Sequence, residues 1–443
     1  MPKDAVTDSV DRDREGGLLE RAGARLAEAG DLDDGADRPD AWTRNFAIQL
    51  VCRAASKIGD VLASPRHVLV WWLGALGVPS AMVGALLPIR EAGALLPQLW
   101  IGAWMRRRAR RRGVYVAGLA IQAAAFAFLI VAAQFFWQGV ALGVAAIVAI
   151  AVFSFGRSMA SITSKDLLGR TIPKGRRGRL SGTASTVSGL ITIAAGLALG
   201  IQSGDTPAAA PLVLIGLGVI GWTAAAAVAH RIVEADAPVE DGRPDPIGDL
   251  KLLREDSHFA RFCVARGLLA GTVLAMPYVT LLAKDGTEGG SEGLGAILVA
   301  ASAAQFLSGW FWGRLADTSS RRTMMRAGAM ASAVLVLTFV TATLGPTGAV
   351  AAVAYGALFF LLGLAHTGIR QGRKTYVVDL APDDQRPTYV AVANTTMGFV
   401  LLAGVGLGAL SAVFDERLLV LLLAALGAAG AWTARGLREV ESD

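Results

Sequence analysis

Four ionisable residues stand in stretches of the chain that are otherwise apolar. Lys57 and Asp60 are three apart, so one face of a helix would carry both. Arg90 and Glu91 are adjacent and would point about 100° apart around a helix axis. If these stretches cross a bilayer, each charge costs at least ~2.5–3.5 kcal/mol unless it is partnered or wetted. Two kinds of chemistry fit. One is structural: the pairs Lys57–Asp60 and Arg90–Glu91, or the crossed pairs, fix helix register. The other is proton exchange by Asp60 or Glu91, with a base holding either that acid or an anionic substrate. A carboxyl group moved between a dry pocket and the neighbourhood of a cation changes its proton affinity, which is a workable coupling device.

A second set lies closer to the expected membrane surface. Arg53, Arg157, Arg266 and His366 pair off at a separation of roughly 210 residues, Arg53 with Arg266 and Arg157 with His366. Such symmetric placement is what structural gate residues would show. Arg370 and Lys374, one turn apart, are expected to snorkel to the interface. The two cysteines, Cys52 and Cys263, and the four scattered histidines offer no disulfide framework and no metal-ligand spacing. No nucleophile motif accompanies them, so the chain is not read as an enzyme. No metal or organic cofactor is expected, and a proton gradient is the expected coupling source.

The elements that must position these residues are membrane helices. Of the 443 residues, 53% are hydrophobic and 18% charged. A soluble chain of this length would carry nearer a quarter charged residues. Apolar runs repeatedly approach the ~20 residues that cross ~30 Å of hydrocarbon. Spans are expected near 44–73, 78–104, 113–135, 138–163, 182–202, 209–230, 259–283, 293–315, 323–344, 348–371, 388–413 and 416–435. Loops after even spans hold the basic residues, among them Arg106–Arg108, Arg110–Arg112, Arg176, Arg177, Arg243, Arg321 and Arg322. Loops after odd spans, such as the one holding Asp205, hold almost none. The positive-inside bias therefore places both termini in the cytoplasm and the chain in the plasma (inner) membrane. The net charge of +6 sits in these short loops, so no nucleic-acid partner is expected. Trp71, Trp72, Trp137 and Trp432 fall near span ends, where interfacial aromatic anchors belong.

The chain also resembles itself. Lys165–Gly189 lies over Lys374–Gly398 without a gap, matching Pro173 to Pro382, Arg177 to Arg386 and Thr186 to Thr395. Duplication predicts two six-helix halves, 42–230 and 258–436, joined by a cytoplasmic linker at 231–257 and flanked by tails at 1–41 and 437–443. At the end of the eighth span, Gly313-Arg314-Leu315-Ala316-Asp317 runs on to Arg321-Arg322. This string resembles the loop signature of the major facilitator superfamily, G-x-L-a-D-r-x-G-r-[KR]. The counterpart after the second span keeps Gly102 and the basic end, but Arg106 stands where the aspartate belongs.

The resemblance implies an all-α integral membrane fold of twelve transmembrane helices in two six-helix pseudo-symmetric halves. It implies a permease, a secondary transporter that works by alternating access on a small-molecule substrate. In such a protein Gly313, Asp317, Arg321 and Arg322 would latch the halves on the cytoplasmic side. We expect a monomer in the lipid bilayer, proton-coupled and moving a small organic solute, with efflux favoured by the apolar spans. A non-transporting sensor or assembly partner of the same fold is the alternative.

Overall fold

The computed structural model describes residues 39–135, 138–173, 175–201, 208–236, 248–382, 385–411 and 414–440. The expected N-terminal tail through residue 38, Trp137, Lys174, Asp205 and the linker residues 237–247 with Arg243 lie outside the described residues. Within them the chain is helical and contains no strand.

Among the described residues the helices follow one another in an order consistent with twelve spans. The first is Pro39–Leu62 continued by Val68–Ala75, and the second is Ser80–Leu95 continued by Gln98–Arg106. The third to sixth are Arg112–Phe135, Gly139–Thr171, Arg177–Ile201 and Ala209–Ala229. The seventh is Ser257–Leu274 continued by Met276–Gly286, followed by Ser291–Thr318, Ser320–Leu344 and Gly348–Leu380. The eleventh is Arg386–Ala403 continued by Val405–Leu410, and the last is Glu416–Arg435. Among the described residues ten helices, all from the third span onward, are long and apolar enough to cross a bilayer. The first two spans are each split and carry the charges, so neither reads as one apolar run.

The breaks have local causes. Pro65 and Pro97 lack the N–H that would continue the ladder, and their rings crowd the preceding turn. Residues 64–67 and 96–97 accordingly run as irregular backbone or turn. The fourth and tenth spans, at corresponding places in the two halves, both have 33 residues. At 1.5 Å per residue each is about 50 Å long and projects beyond the hydrocarbon at the end that carries the Arg-rich loops. Some helix starts carry a side-chain cap. Asp256 accepts from the N–H groups of His258 and Phe259 and also receives the Tyr389 hydroxyl at 2.8 Å.

Between membrane helices, close packing replaces the hydrophobic effect as the cohesive force. Gly118 and Gly156 bring the third and fourth spans so close that a Cβ on either would lie within 2.8 Å of the other's carbonyl oxygen. Trp222 fills the centre of the first half. Its ring lies against Phe126 and Phe153, with centroids 5.2 and 5.1 Å away, and over Gly59. Such aromatic pairs contribute about 0.5–1.5 kcal/mol each. The outer surface is apolar in register: Val140, Val144, Val148 and Val152 are about half exposed along one face of the fourth span. Trp432 is exposed, whereas Trp71 and Trp72 are buried, Trp71 against Gly293 of the second half. The break after Leu62 turns these two tryptophans inward, so they are core residues and not interfacial anchors.

Candidate functional site in the cleft between the halves

The charged residues of the first two spans are sorted by the break at Pro65. It sets Arg66 beside the second span, where Arg66 and Arg90 both reach Glu91 Oε1, at 3.1 and 2.7 Å. Glu91 is thus clamped by two guanidiniums. The Arg90 guanidinium also lies over the Phe153 ring, 6.0 Å from its centroid. The sequence pairs Arg90 with Glu91 correctly but does not reveal Arg66, which only a chain break could bring there. The same break frees the Arg66 carbonyl, which accepts from Thr280 Oγ1 at 2.7 Å and so ties the first half to the second.

The expected Lys57–Asp60 pair does not form. Asp60 Oδ2 instead receives Arg157 NH1 of the fourth span at 2.6 Å, and Lys57 donates to Ser185 Oγ of the fifth. Spacing by three puts both side chains on one face, but that face meets two different neighbours. Arg53, one turn earlier, donates to the Ser164 carbonyl. Asp60 keeps its other oxygen, Oδ1, buried and without a hydrogen-bond partner among the described residues. A carboxylate oxygen left bare in this way is costly, and such sites are where protons or solutes bind.

In the second half the matching positions hold different chemistry. Arg266 is buried and donates to Asn394 Oδ1 at 2.9 Å. His366 has both ring nitrogens buried without a hydrogen-bond partner among the described residues, beside the Thr272 backbone. Arg157 is salt-bridged to Asp60, whereas His366 has no carboxylate within salt-bridge distance among the described residues. Arg370 and Lys374 lie on the last turns of the tenth span. Both are solvent-exposed yet surrounded by protein, with Arg370 in electrostatic reach of Arg66 and Glu91 across the cleft.

The loop-signature residues divide. Gly313 and Asp317 lie in the last turns of the eighth span, with their side chains outside the described residues. Arg321 and Arg322 both approach Glu439, at 3.1 and 3.7 Å, just beyond the twelfth span. The first half carries a counterpart. Glu234, just beyond the sixth span and with its carboxylate turned inward, accepts from the backbone N–H groups of Arg111 and Arg112 at 3.1 and 2.7 Å. Arg111 also pairs with Asp166 of the fourth span, and the exposed Arg110 with Asp236 at 2.7 Å. Asp236 raises the proton affinity of Arg110 further. The side chain of Arg106 lies outside the described residues, but the basic loop around it is held by carboxylates all the same. Neither Glu234 nor Glu439 stands out in the sequence, because each belongs to a short polar stretch whose partner lies over a hundred residues away.

Contacts between the halves gather at mid-depth and at the end away from the Arg-rich loops. Gly196 and Gly295 let the fifth and eighth spans meet backbone to backbone, where a Cβ on Gly295 would lie 2.5 Å from the Gly196 oxygen. Gly408 packs on the Ala81 carbonyl, Gly84 on the Tyr278 ring and Gly293 on Trp71. Gly398, nearer the other end, packs on Leu96. Beyond it, Lys165, Arg370 and Lys374 are exposed. The cleft is closed at one end and open at the end that carries the basic loops.

This arrangement has known counterparts. The chain superposes on the crystal structure of the nucleoside transporter NupG with a TM-score of 0.63 at 13% identity, covering 88% of this chain and 98% of that one. It superposes on the POT family transporter PepTSo with a TM-score of 0.66 at 9% identity, over 90% and 98% of the two chains. A bacterial homologue of the iron transporter ferroportin in an inward-facing state gives 0.60 at 16% identity, over 89% and 97%. At these identities the likeness shows the fold alone. No curated protein sequence matches the chain. The family model described as Major Facilitator Superfamily matches residues 67–404 and again 287–442. With most of its length matched, the chain belongs to the Major Facilitator Superfamily.

Proposed function

We propose that this protein is a proton-coupled secondary transporter that moves a small organic solute through the cleft by alternating access, with Asp60 as the proton carrier. The observation that carries the reading is the Asp60–Arg157 pair, 2.6 Å long and with Oδ1 bare, on the wall of a cleft closed at one end. Within salt-bridge distance among the described residues, Asp60 has one cationic partner, Arg157. When Arg157 turns toward solute or toward a rearranged neighbour, a desolvated carboxylate remains, and protonation relieves it. When the proton leaves, the ion pair re-forms. Glu91 is a poorer carrier because two arginines hold its charge in place. Export is the working direction, with the basic loops facing the cytoplasm as the positive-inside bias places them.

Proteoliposome flux tests this, and the same assay reads direction. Asp60→Asn should abolish accumulation driven by an imposed pH gradient while leaving exchange at equal pH largely intact. Asp60→Glu should restore part of the accumulation, which separates coupling from folding. If Asp60→Asn still concentrates solute against its gradient, Asp60 is not the carrier.

A further inference from the structure

The open cleft carries far more positive than negative charge among the described residues, and five of its cations have no salt-bridged carboxylate there. Two carboxylates face it, and both are engaged: Asp60 with Arg157, Glu91 with Arg66 and Arg90. Five further cations line the space. Lys57 and Lys165 come from the first half, and Arg370, Arg373 and Lys374 from the second. None of the five has a carboxylate within salt-bridge distance among the described residues. Lys57 bonds to the neutral Ser185 hydroxyl, and Arg370, at 3.4 Å, to that of Thr367.

These cations converge from both sides. Lys57 is in electrostatic reach of Arg370 across the cleft, and Lys374 of Lys165, Arg370 and Arg373. Arg373 is in reach of Glu91, whose charge Arg66 and Arg90 already share, as well as of Arg66 and Arg266. Like charges held this close in a partly desolvated space repel one another, and natural helices rarely concentrate them without a counter-ion. Closing the open end would press Lys165 toward Lys374 and Lys57 toward Arg370. A neutral or cationic solute would leave that repulsion in place, whereas an anion between them removes it. Two arginines at positions 370 and 373 of one helix offer planar forks that suit carboxylate or phosphate oxygens.

We infer that the solute is a small organic polyanion, a di- or tricarboxylate or a phosphate ester, bound between Lys57 and Lys165 of the first half and Arg370, Arg373 and Lys374 of the second. Its binding is what permits the cleft to close. This inference rests on reading the cleft as the solute path, but its test reads binding and not flux, so the two can fail separately.

The test is thermal stabilisation of the purified full chain in nanodiscs of neutral phosphatidylcholine at fixed ionic strength. The probes are citrate, succinate and glucose 6-phosphate, with glucose and choline chloride as controls. Saturable stabilisation by at least one polyanion, absent with glucose and choline, is expected. Arg370→Gln and Lys374→Gln should each weaken its apparent affinity by about tenfold or more. Arg326→Gln, on the outer face of the ninth span beside Trp432, should leave it unchanged. Should Arg370→Gln fold poorly, Arg370→Lys keeps the charge without the fork and should weaken binding less. Three results would overturn the inference: no polyanion stabilises more than sodium chloride, glucose or choline does better, or stabilisation appears only when phosphatidylglycerol is added to the nanodisc. The last would make the cluster a lipid headgroup site.

Discussion

Two acids in the first half, Asp60 and Glu91, are close in depth and differ in their company. Glu91 sits between two guanidiniums, and its removal strands both in a half-buried setting. Glu91→Gln is therefore expected to lower stability by about 1–2 kcal/mol, discounted from the larger cost of breaking a fully buried pair because these side chains keep some solvent. A drop of several degrees in melting temperature, with gradient-driven accumulation retained, is the expected result. Loss of accumulation at unchanged stability would instead make Glu91 a coupling residue. The acids and bases themselves were legible in the sequence, because charges in apolar stretches stand out. Of their partners only the Arg90–Glu91 contact was legible. Asp60 could be assigned to Lys57 by helix spacing alone, while its actual partner, Arg157, lies on another span whose rotation no local pattern records.

At the scale of helices, glycine pairs decide which spans touch. Gly196 stands four residues before Gly200, a spacing of small residues that suits a packing face, but nothing local identifies its partner Gly295, since pairing across the halves depends on how they dock. Gly295→Val should push the fifth and eighth spans apart at the closed end, because its Cβ alone would come within 2.5 Å of the Gly196 oxygen. Transport should fall to background while the purified protein still elutes as a single species. Wild-type transport in this variant would mean that the contact is dispensable. Span positions from the third onward followed from apolar runs and agree with the helices to within a few residues, apart from extensions toward the Arg-rich loops. The fourth and tenth spans run about nine residues past their expected ends, because charged residues at the membrane surface continue a helix that hydropathy alone would stop. The first two spans were harder for a physical reason: prolines and charges there serve the cleft, not the lipid.

At the scale of the molecule, two halves meet at one end, and cations face each other at the other. Duplication and the loop signature made the fold legible, since both survive as short ordered matches along the chain. The state of the cleft was not legible, because open and closed forms share one sequence and differ only in which end is packed. Alternating access requires the two ends to move in opposite senses. Spin labels test it directly, one pair on Gly169 and Asp379 at the Arg-rich ends of the fourth and tenth spans, and a second on Ile201 and Leu344 at the far ends of the fifth and ninth. On addition of a stabilising solute, the distance distribution of the first pair should shift shorter and that of the second longer, in the same sample. Distances that stay fixed at both ends, or that shorten at both, would contradict alternating access and favour a non-transporting sensor of the same fold.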